Sequence, residues 1–346
     1  MAYTEVLTDH DITPEQWDDM CFKEYIGQLF VKFLMGTNDS AVIQVKEELT
    51  KKSGDAITFN FGTKQTGGVV RGNTKGIGNE GKMDFYGQRV TIDNVRVLHK
   101  IWDIPMSQKR TNFNILNEAK HALTVKAQEV FEDDTVTALT DTSVGRVQGR
   151  YLYGSSDSNW DATHSTALQN IDNTNDQLSS AIISMAKRKA KIPANGADFK
   201  IRPMRVKAGK NYEEWYILLA HDYAIRDLVN NDAAFRNAQL LLPPGSNANS
   251  ILYNGSAFKG SWEGVLIYEY ERIPLVSSNI QVAHNLLMGA QAGAVAWGQR
   301  SKFGEEFEDL KHNVIYELHE IRGIAKLVRN GVDHGIVNVF TAAVAD

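Results

Sequence analysis

The sequence predicts an α+β protein in which an N-terminal arm, a long two-stranded excursion and one very long helix precede a region of interleaved strands and helices. Three observations carry this. Ile57, Phe59 and Phe61 alternate with polar residues, and Val90 and Ile92 do so again, which is the period-two signature of strands. Between these runs the chain is dominated by glycine, lysine and threonine from Gly62 to Gly68 and from Gly72 to Gly81, too polar to bury a core of its own. Then Leu116, Ala119, Leu123, Ala127, Val130 and Phe131 recur at three- and four-residue steps in a stretch without proline or glycine.

Taken in order, Thr13-Pro14-Glu15 opens a helix expected over residues 13–35, with a cap, a first-turn proline and an acidic residue. Phe22, Ile26, Leu29, Phe30 and Phe33 form its apolar stripe. The stripe can pack on its own domain or, as an arm, on a neighbouring subunit; Phe22 and Phe30 are the contacts expected in the second case. A hairpin is expected over 56–104, its unstructured tip stabilised by a partner. The helix is expected from Ser107 to about Leu139, ~45 Å long, with Lys109, Asn112, Lys120 and Gln128 on a polar outer face. Residues 141–170 read as loop, 176–190 as a helix closed by Lys187-Arg188-Lys189, and 215–220 as a strand. A helix from Asp222 to about Gln239, with Asp222 as the expected N-cap, ends in the turn 240–245. Further strands are expected at 262–270, 313–319 and 336–340.

Composition bounds the function. Lys and Arg total 37 against 42 Asp and Glu, a net charge of −5 without the basic excess of a dedicated nucleic-acid binder; it is compatible with a container but does not point to one. The one cysteine, Cys21, excludes an intrachain disulfide framework and fits a reducing compartment. Residues 1–20 hold six carboxylates, unlike a signal peptide, and no apolar run is long enough for a membrane span. Gly76-Ile-Gly78-Asn-Glu-Gly81 matches the dinucleotide-binding pattern, but β-prone sequence follows where a helix is required. No nucleophile elbow, phosphate loop or zinc-binding helix motif occurs, and His312 and His319 fall on opposite faces of a strand. Asp133-Asp134 reads as a solvated pair. No catalytic, cofactor or metal residue is predicted.

The order of elements, with Gly78-Asn-Glu-Gly81 leading to Val90-Thr-Ile-Asp93, then Leu286-Leu-Met-Gly289 through Gly293-Ala-Val-Ala-Trp297-Gly298, and Gly323-Ile-Ala-Lys326 before Asp333-His-Gly335, resembles podophage-type major capsid proteins from about residue 20 onward. His334 departs from the aromatic residue expected there. The resemblance implies the tailed-phage capsid fold shared with herpesvirus floor domains and encapsulins: arm and start of the peripheral domain (1–55), extended loop (56–104), spine helix (105–150), axial domain (151–300) and completing strands (301–346). It also implies a non-enzymatic subunit that assembles through hexamers and pentamers into an icosahedral shell around DNA, in a virion assembled in the host cytoplasm. Intersubunit contacts are then expected at Phe22, Phe30, Gly68, Arg71, Lys75, Gly78, Lys82, Lys109 and Lys120. The implied partners are further copies of the chain, a scaffolding protein, a portal and a decoration protein. With no long helical leader ahead of the arm, the scaffold is expected to be a separate protein. An encapsulin-like compartment and an enzyme with a glycine-rich lid are the alternatives.

Overall fold

The computed structural model describes residues 29–50, 53–62, 67–110, 114–208, 211–241 and 257–345. Phe22 and Ile26 of the expected arm, and Cys21, lie outside them. At the arm's end Phe30–Leu34 is a single 3₁₀ turn, not the last turns of a helix.

Strands β1 (Met35–Gly36) and β2 (Ile43–Lys46) lead into a hairpin of β3 (Ala56–Gly62) and β4 (Phe85–Thr91), and β5 (Asp93–Ile101) follows. Helices α1 (Ile104–Arg110) and α2 (Ile115–Leu139) come next. Strand β6 (Tyr151–Tyr153), α3 (His164–Gln169), α4 (Ser180–Lys191), β7 (Met204–Ala208), β8 (Asn211–Ala220), α5 (Asp222–Asn231) and α6 (Ala233–Leu241) continue the chain. It ends with β9 (Phe258–Trp262), β10 (Val265–Glu269), β11 (Leu275–Ser277), β12 (Gln281–Met288), β13 (Gly293–Glu308), β14 (Asn313–Lys326), the short β15 (Val328–Arg329) and β16 (Val332–Asp333), and β17 (Ile336–Ala342).

Two sheets organise these elements. One runs β1-β2-β13-β14-β5; the other runs β6-β17-β12-β8-β10-β9, with β11 beside β12 and β7 beside β8. On β14, Val314, Tyr316 and Leu318 are buried on one face while Ile315, Glu317 and His319 point the other way. Helix α2 covers the buried face with Ala119, Leu123, Ala127 and Phe131, and the Phe131 ring stacks on Trp297 at 5.9 Å. Thr124 and Thr135 fall within this buried stripe, and each returns its hydroxyl to the carbonyl four residues back, at 3.1 and 2.8 Å. Helices α4 to α6 cover the second sheet through Ile182, Ile183, Ala186, Leu228 and Phe235.

Several expectations are corrected. The single helix from Ser107 is described as two, Ile104–Arg110 and Ile115–Leu139, and Asn114 caps the second, its side chain accepting from the Leu116 and Asn117 amides at 3.1 and 3.4 Å. The hairpin ends at Thr91, because β5 leaves it to pair with β14 over Asp93–Ile101. The strand expected at 262–270 is a tight hairpin turning at Glu263-Gly264, both with positive φ. His221, not Asp222, caps α5 by accepting from Tyr223 N at 3.2 Å, and Asp232 divides the helix expected to run to Gln239. Strand β13 runs through residue 300, where a boundary was expected, and β14 is twice the expected length.

Candidate assembly surfaces

The hairpin is anchored at its base and bare at its tip. On β13, Val295 and Trp297 face α2, so Ala294 and Ala296 face the other way, and there Ile57, Phe59, Phe61 and Val90 pack on them. Close approach depends on glycine. A Cβ on Gly323 would lie 2.0 Å from Thr91 O, and one on Gly298 would lie 2.6 Å from Ile92 Cδ1. Gln88 adds a bond to the end of β14, donating to Lys326 O at 3.0 Å, and one to β15, accepting from Val328 N at 2.6 Å.

Beyond this base, the side chains of Val69, Ile77 and Phe85 are 78%, 89% and 73% exposed. Among the described residues of the tip, local turns are made: Asn79 N donates to Gly76 O, the Thr74 hydroxyl to Arg71 O, and the Gly78 amide to the Glu80 carboxylate. Those amide bonds hold the Glu80 carboxyl below its ordinary range. Gly76 to Gly81 is therefore an exposed loop followed by β4, without the helix a pyrophosphate would need. Gly68, Arg71, Lys75, Gly78 and Lys82 all lie on this exposed excursion, with Lys82 paired to Asp84 at 3.1 Å.

Further exposed apolar side chains lie toward the far end of the first sheet, on both of its faces: Leu98 is opposite Glu317, away from α2, and Phe307 is opposite Val314, on the α2 face. Leu98 on β5, Trp102 after it, Met106 on α1, Phe307 on β13 and Leu310 in the β13–β14 turn are all exposed. Asp309, Leu310 and Lys311 in that turn all have left-handed φ (50°, 52° and 70°), which turns Leu310 outward. Lys109 is also exposed on α1.

Four residues expected at the surface make contacts within their own chain. Lys120 is half-buried, its ammonium 5.0 and 5.2 Å from the Phe303 and Tyr316 rings, so it lies along its own sheet. Phe30 stacks on Tyr270 at 4.5 Å within its own chain. Asp133 and Asp134 are not simply solvated: the first pairs with Arg272 and the second with Arg322 at 2.6 Å.

A buried polar junction, not foreseen from the sequence, lies where the end of α2, β6, β14, β16 and β17 meet. Lys326 pairs with Asp333 at 2.9 Å and donates to the carbonyls of Asp141 and Val144. Asp333 accepts from Asn338, and Asn338 in turn bonds His284, each at 2.8 Å. Arg150, fully buried, donates to the carbonyls of Asp333 and Lys189 at 3.1 and 3.2 Å and to that of Phe199. Desolvation raises Asp333 to about 6 against the pull of Lys326, and lowers Arg150 to about 10 and His284 to about 4. His334 lies between the Phe61 and Phe199 rings at 4.5 and 5.4 Å, and burial among Arg202, Arg329 and Arg150 lowers it to about 3. These groups are enclosed and mutually bonded, an arrangement that fastens elements together. Among the described residues, no set of three or more His, Cys, Asp or Glu could hold a metal ion.

The sequence profile of the family described as phage capsid protein matches residues 11–345. The chain belongs to that family. No curated protein sequence matches it. Its fold is similar to the capsid asymmetric unit of cyanophage Pam1, with 23% identity, a TM-score of 0.76 and all of both chains covered. It is similar to the capsid of Ralstonia phage GP4 at 21% identity and TM-score 0.76, covering all of this chain and 96% of the other. The acid-stable capsid of Helicobacter pylori bacteriophage KHP30 matches at 15% identity and TM-score 0.67 over 89% of each chain. The capsid protein thus has the tailed-phage capsid fold and is a major capsid subunit that self-associates into a shell, a structural protein and not an enzyme with a lid.

Proposed function

We propose that the capsid protein closes an icosahedral shell of hexamers and pentamers around double-stranded DNA, and that the hairpin tip is its principal reach toward a neighbouring subunit. The observation that carries this is the contrast within the hairpin. Its base is locked onto β13 and β14, whereas Val69, Ile77 and Phe85 project into solvent. Apolar side chains so exposed on an anchored excursion suit burial by a partner, and exposed apolar groups such as Trp102, Met106 and Leu310 at the far end of the first sheet are candidates to receive them. In this reading Gly68, Arg71, Lys75, Gly78 and Lys82 contact the neighbour from the tip, and Lys109 from α1. Phe22 keeps its proposed place on the arm. Phe30, stacked on Tyr270, and Lys120, beside the Phe303 and Tyr316 rings, keep their proposed places as contacts at the arm's end and on α2.

The five-stranded sheet with α2 acts as the peripheral part of the subunit, and the second sheet with α4 to α6 as the axial part around each capsomer centre. A heterologous contact repeated around closed rings ends in a shell, not a filament. A separate scaffolding protein, a portal and a decoration protein are the proposed partners, and assembly takes place in the host cytoplasm. The test is the double substitution Val69→Asp and Ile77→Asp. The dispersed subunit should keep its circular dichroism and melting temperature, while electron microscopy should show no closed shells. Shells at normal yield would remove the hairpin tip from the assembly interface.

A further inference from the structure

Between the loop that joins β1 to β2 and the segment that leads into β7 lies a cleft of about 670 Å³. Four cations, Lys191, Lys200, Arg202 and Arg205, line it against two carboxylates, Asp39 and Glu214. The charges are unevenly matched. Arg205 is paired with Glu214 at 3.1 Å, Asp39 accepts from Gln44 at 2.9 Å, and Arg202 donates to Gln291, a neutral group that leaves its charge uncancelled. Lys191 and Lys200 are exposed and have no ion-pair partner among the described residues. Ile201, Pro203 and Ala290 supply an apolar floor. A concave, cationic site with an apolar floor fits a peptide that alternates carboxylates with apolar side chains.

The chain carries such a peptide. Residues 1–20 hold Glu5, Asp9, Asp11, Glu15, Asp18 and Asp19, with no lysine or arginine, interleaved with Leu7, Ile12, Trp17 and Met20. We infer that the acidic N-terminal segment of the dispersed subunit docks in the Lys191–Lys200–Arg202 cleft of its own chain. Reach permits it. Asp39, on the cleft wall, is ten residues along the chain from the core residue Leu29, hence within about 36 Å of it, and a dozen extended residues ahead of Leu29 span about 40 Å. Tethering also supplies the ligand at high effective concentration, so modest contacts suffice. A uniform polyphosphate is the poorer fit, because Asp39 and Glu214 would repel it and the apolar floor would go unused.

The experiment is zero-length carbodiimide crosslinking of the full chain below its assembly concentration, with linked peptides identified by mass spectrometry. Carboxylates of residues 1–20 should link to Lys191 or Lys200 in preference to the exposed lysines Lys75, Lys82 and Lys109. Raising the salt to about 0.5 M should abolish the linkages, since exposed charges are then screened within a few ångströms. The double variant Lys191→Glu and Lys200→Glu, checked for an unchanged circular dichroism spectrum, should not redirect them to Arg-flanking lysines such as Lys187. A mixture of light and heavy isotope-labelled chains separates the arrangements, and linkages found only between differently labelled chains would overturn the intrachain assignment. Linkages spread evenly over Lys75, Lys82 and Lys109 would overturn the site. So would duplex DNA that shields Lys191 and Lys200 from acetylation without displacing the N-terminal linkages. Because the measurement is made on dispersed subunits, its failure leaves the shell reading standing, and failure of shell assembly leaves this result standing.

Discussion

Lys326 and Asp333 meet with both side chains almost wholly withdrawn from water, where an ion pair holds position more than it adds stability. Removing one partner strands the other. Lys326→Met should therefore cost about 3–5 kcal/mol in denaturant unfolding of the dispersed subunit, and adding Asp333→Asn should restore a substantial part of that loss. If the double variant is no better than the single one, Lys326 stabilises chiefly by tying the carbonyls of Asp141 and Val144. Gly145 belongs to the same junction: its φ of +85° is left-handed, and a Cβ there would lie 2.0 Å from an Asp333 carboxylate oxygen. His334 gives the second test at this scale. The family resemblance implies an aromatic side chain at this position, and the His334 ring is indeed stacked between Phe61 and Phe199. Its Nδ1 has no hydrogen-bond partner among the described residues. The unfolded chain takes up a proton on His334 near pH 6.5, while the folded chain refuses it until about pH 3. Between those values the unfolded state binds more protons, so this histidine withdraws stability as the pH falls. His334→Phe should stabilise the subunit, and its advantage should be larger at pH 5 than at pH 8 by about 2 kcal/mol. Asp333, raised to about 6, has the opposite pH dependence but is common to both proteins and drops out of the difference. An advantage independent of pH would mean that the folded state accepts the proton.

At the scale of elements, what was legible followed from periodicity. The hairpin strands, the buried stripe of α2 and the helix over 180–191 all announce themselves through which residues turn inward. Boundaries were less legible, because they depend on partners distant in the chain. Nothing local says that Asp93 leaves the hairpin; it does so because β14, more than two hundred residues on, offers a better ladder. The start of α2 had a readable cause in Asn114, hidden by helix-compatible residues on both sides. Asn114→Ala should cost about 1 kcal/mol, whereas Leu123→Pro in the middle of the buried stripe should cost roughly 3 kcal/mol or more and prevent folding into a competent subunit. The hairpin itself should divide by hydrogen exchange. Amides of β3 and β4 near Phe59 and Val90 should be protected in the dispersed subunit, while those of 67–82 should become protected only in the particle. Equal protection of 67–82 in both states would contradict a tip completed by its neighbour.

For the whole molecule, the surface charge sets an expectation about the contents of the shell. With a net charge of −5 and its densest basic run, Lys187 to Lys191, partly spent on contacts to Glu263, Gln148 and Asp157, the subunit should hold duplex DNA weakly and without sequence preference. Filter binding should give a dissociation constant no tighter than about 10⁻⁶ M, weakening steeply with salt. Sequence-selective binding that survives ~200 mM salt would point to a nucleic-acid-directed role instead. The docking surfaces were the least readable part of the molecule. The glycine-rich tip can be recognised as unusual in the sequence, but nothing local shows that Trp102, Phe307 and Leu310 stay exposed.

The course of the chain around that sheet has a mechanical consequence. The hairpin departs after β2 and returns as β5, and these two strands flank the β13–β14 pair on opposite sides. It is thus mounted like the handle of a bucket, hung from both rims instead of one. A tug on the tip is divided between two rows of hydrogen bonds, β2 on β13 and β5 on β14, and neither row can peel open from a free end without the other yielding. A subunit gripped by its neighbour at this handle would pass the load across the full width of its stiffest layer. Single-molecule pulling through position 77 should accordingly meet higher resistance than pulling through the turn at Leu310, where β13 and β14 can be unzipped one rung at a time.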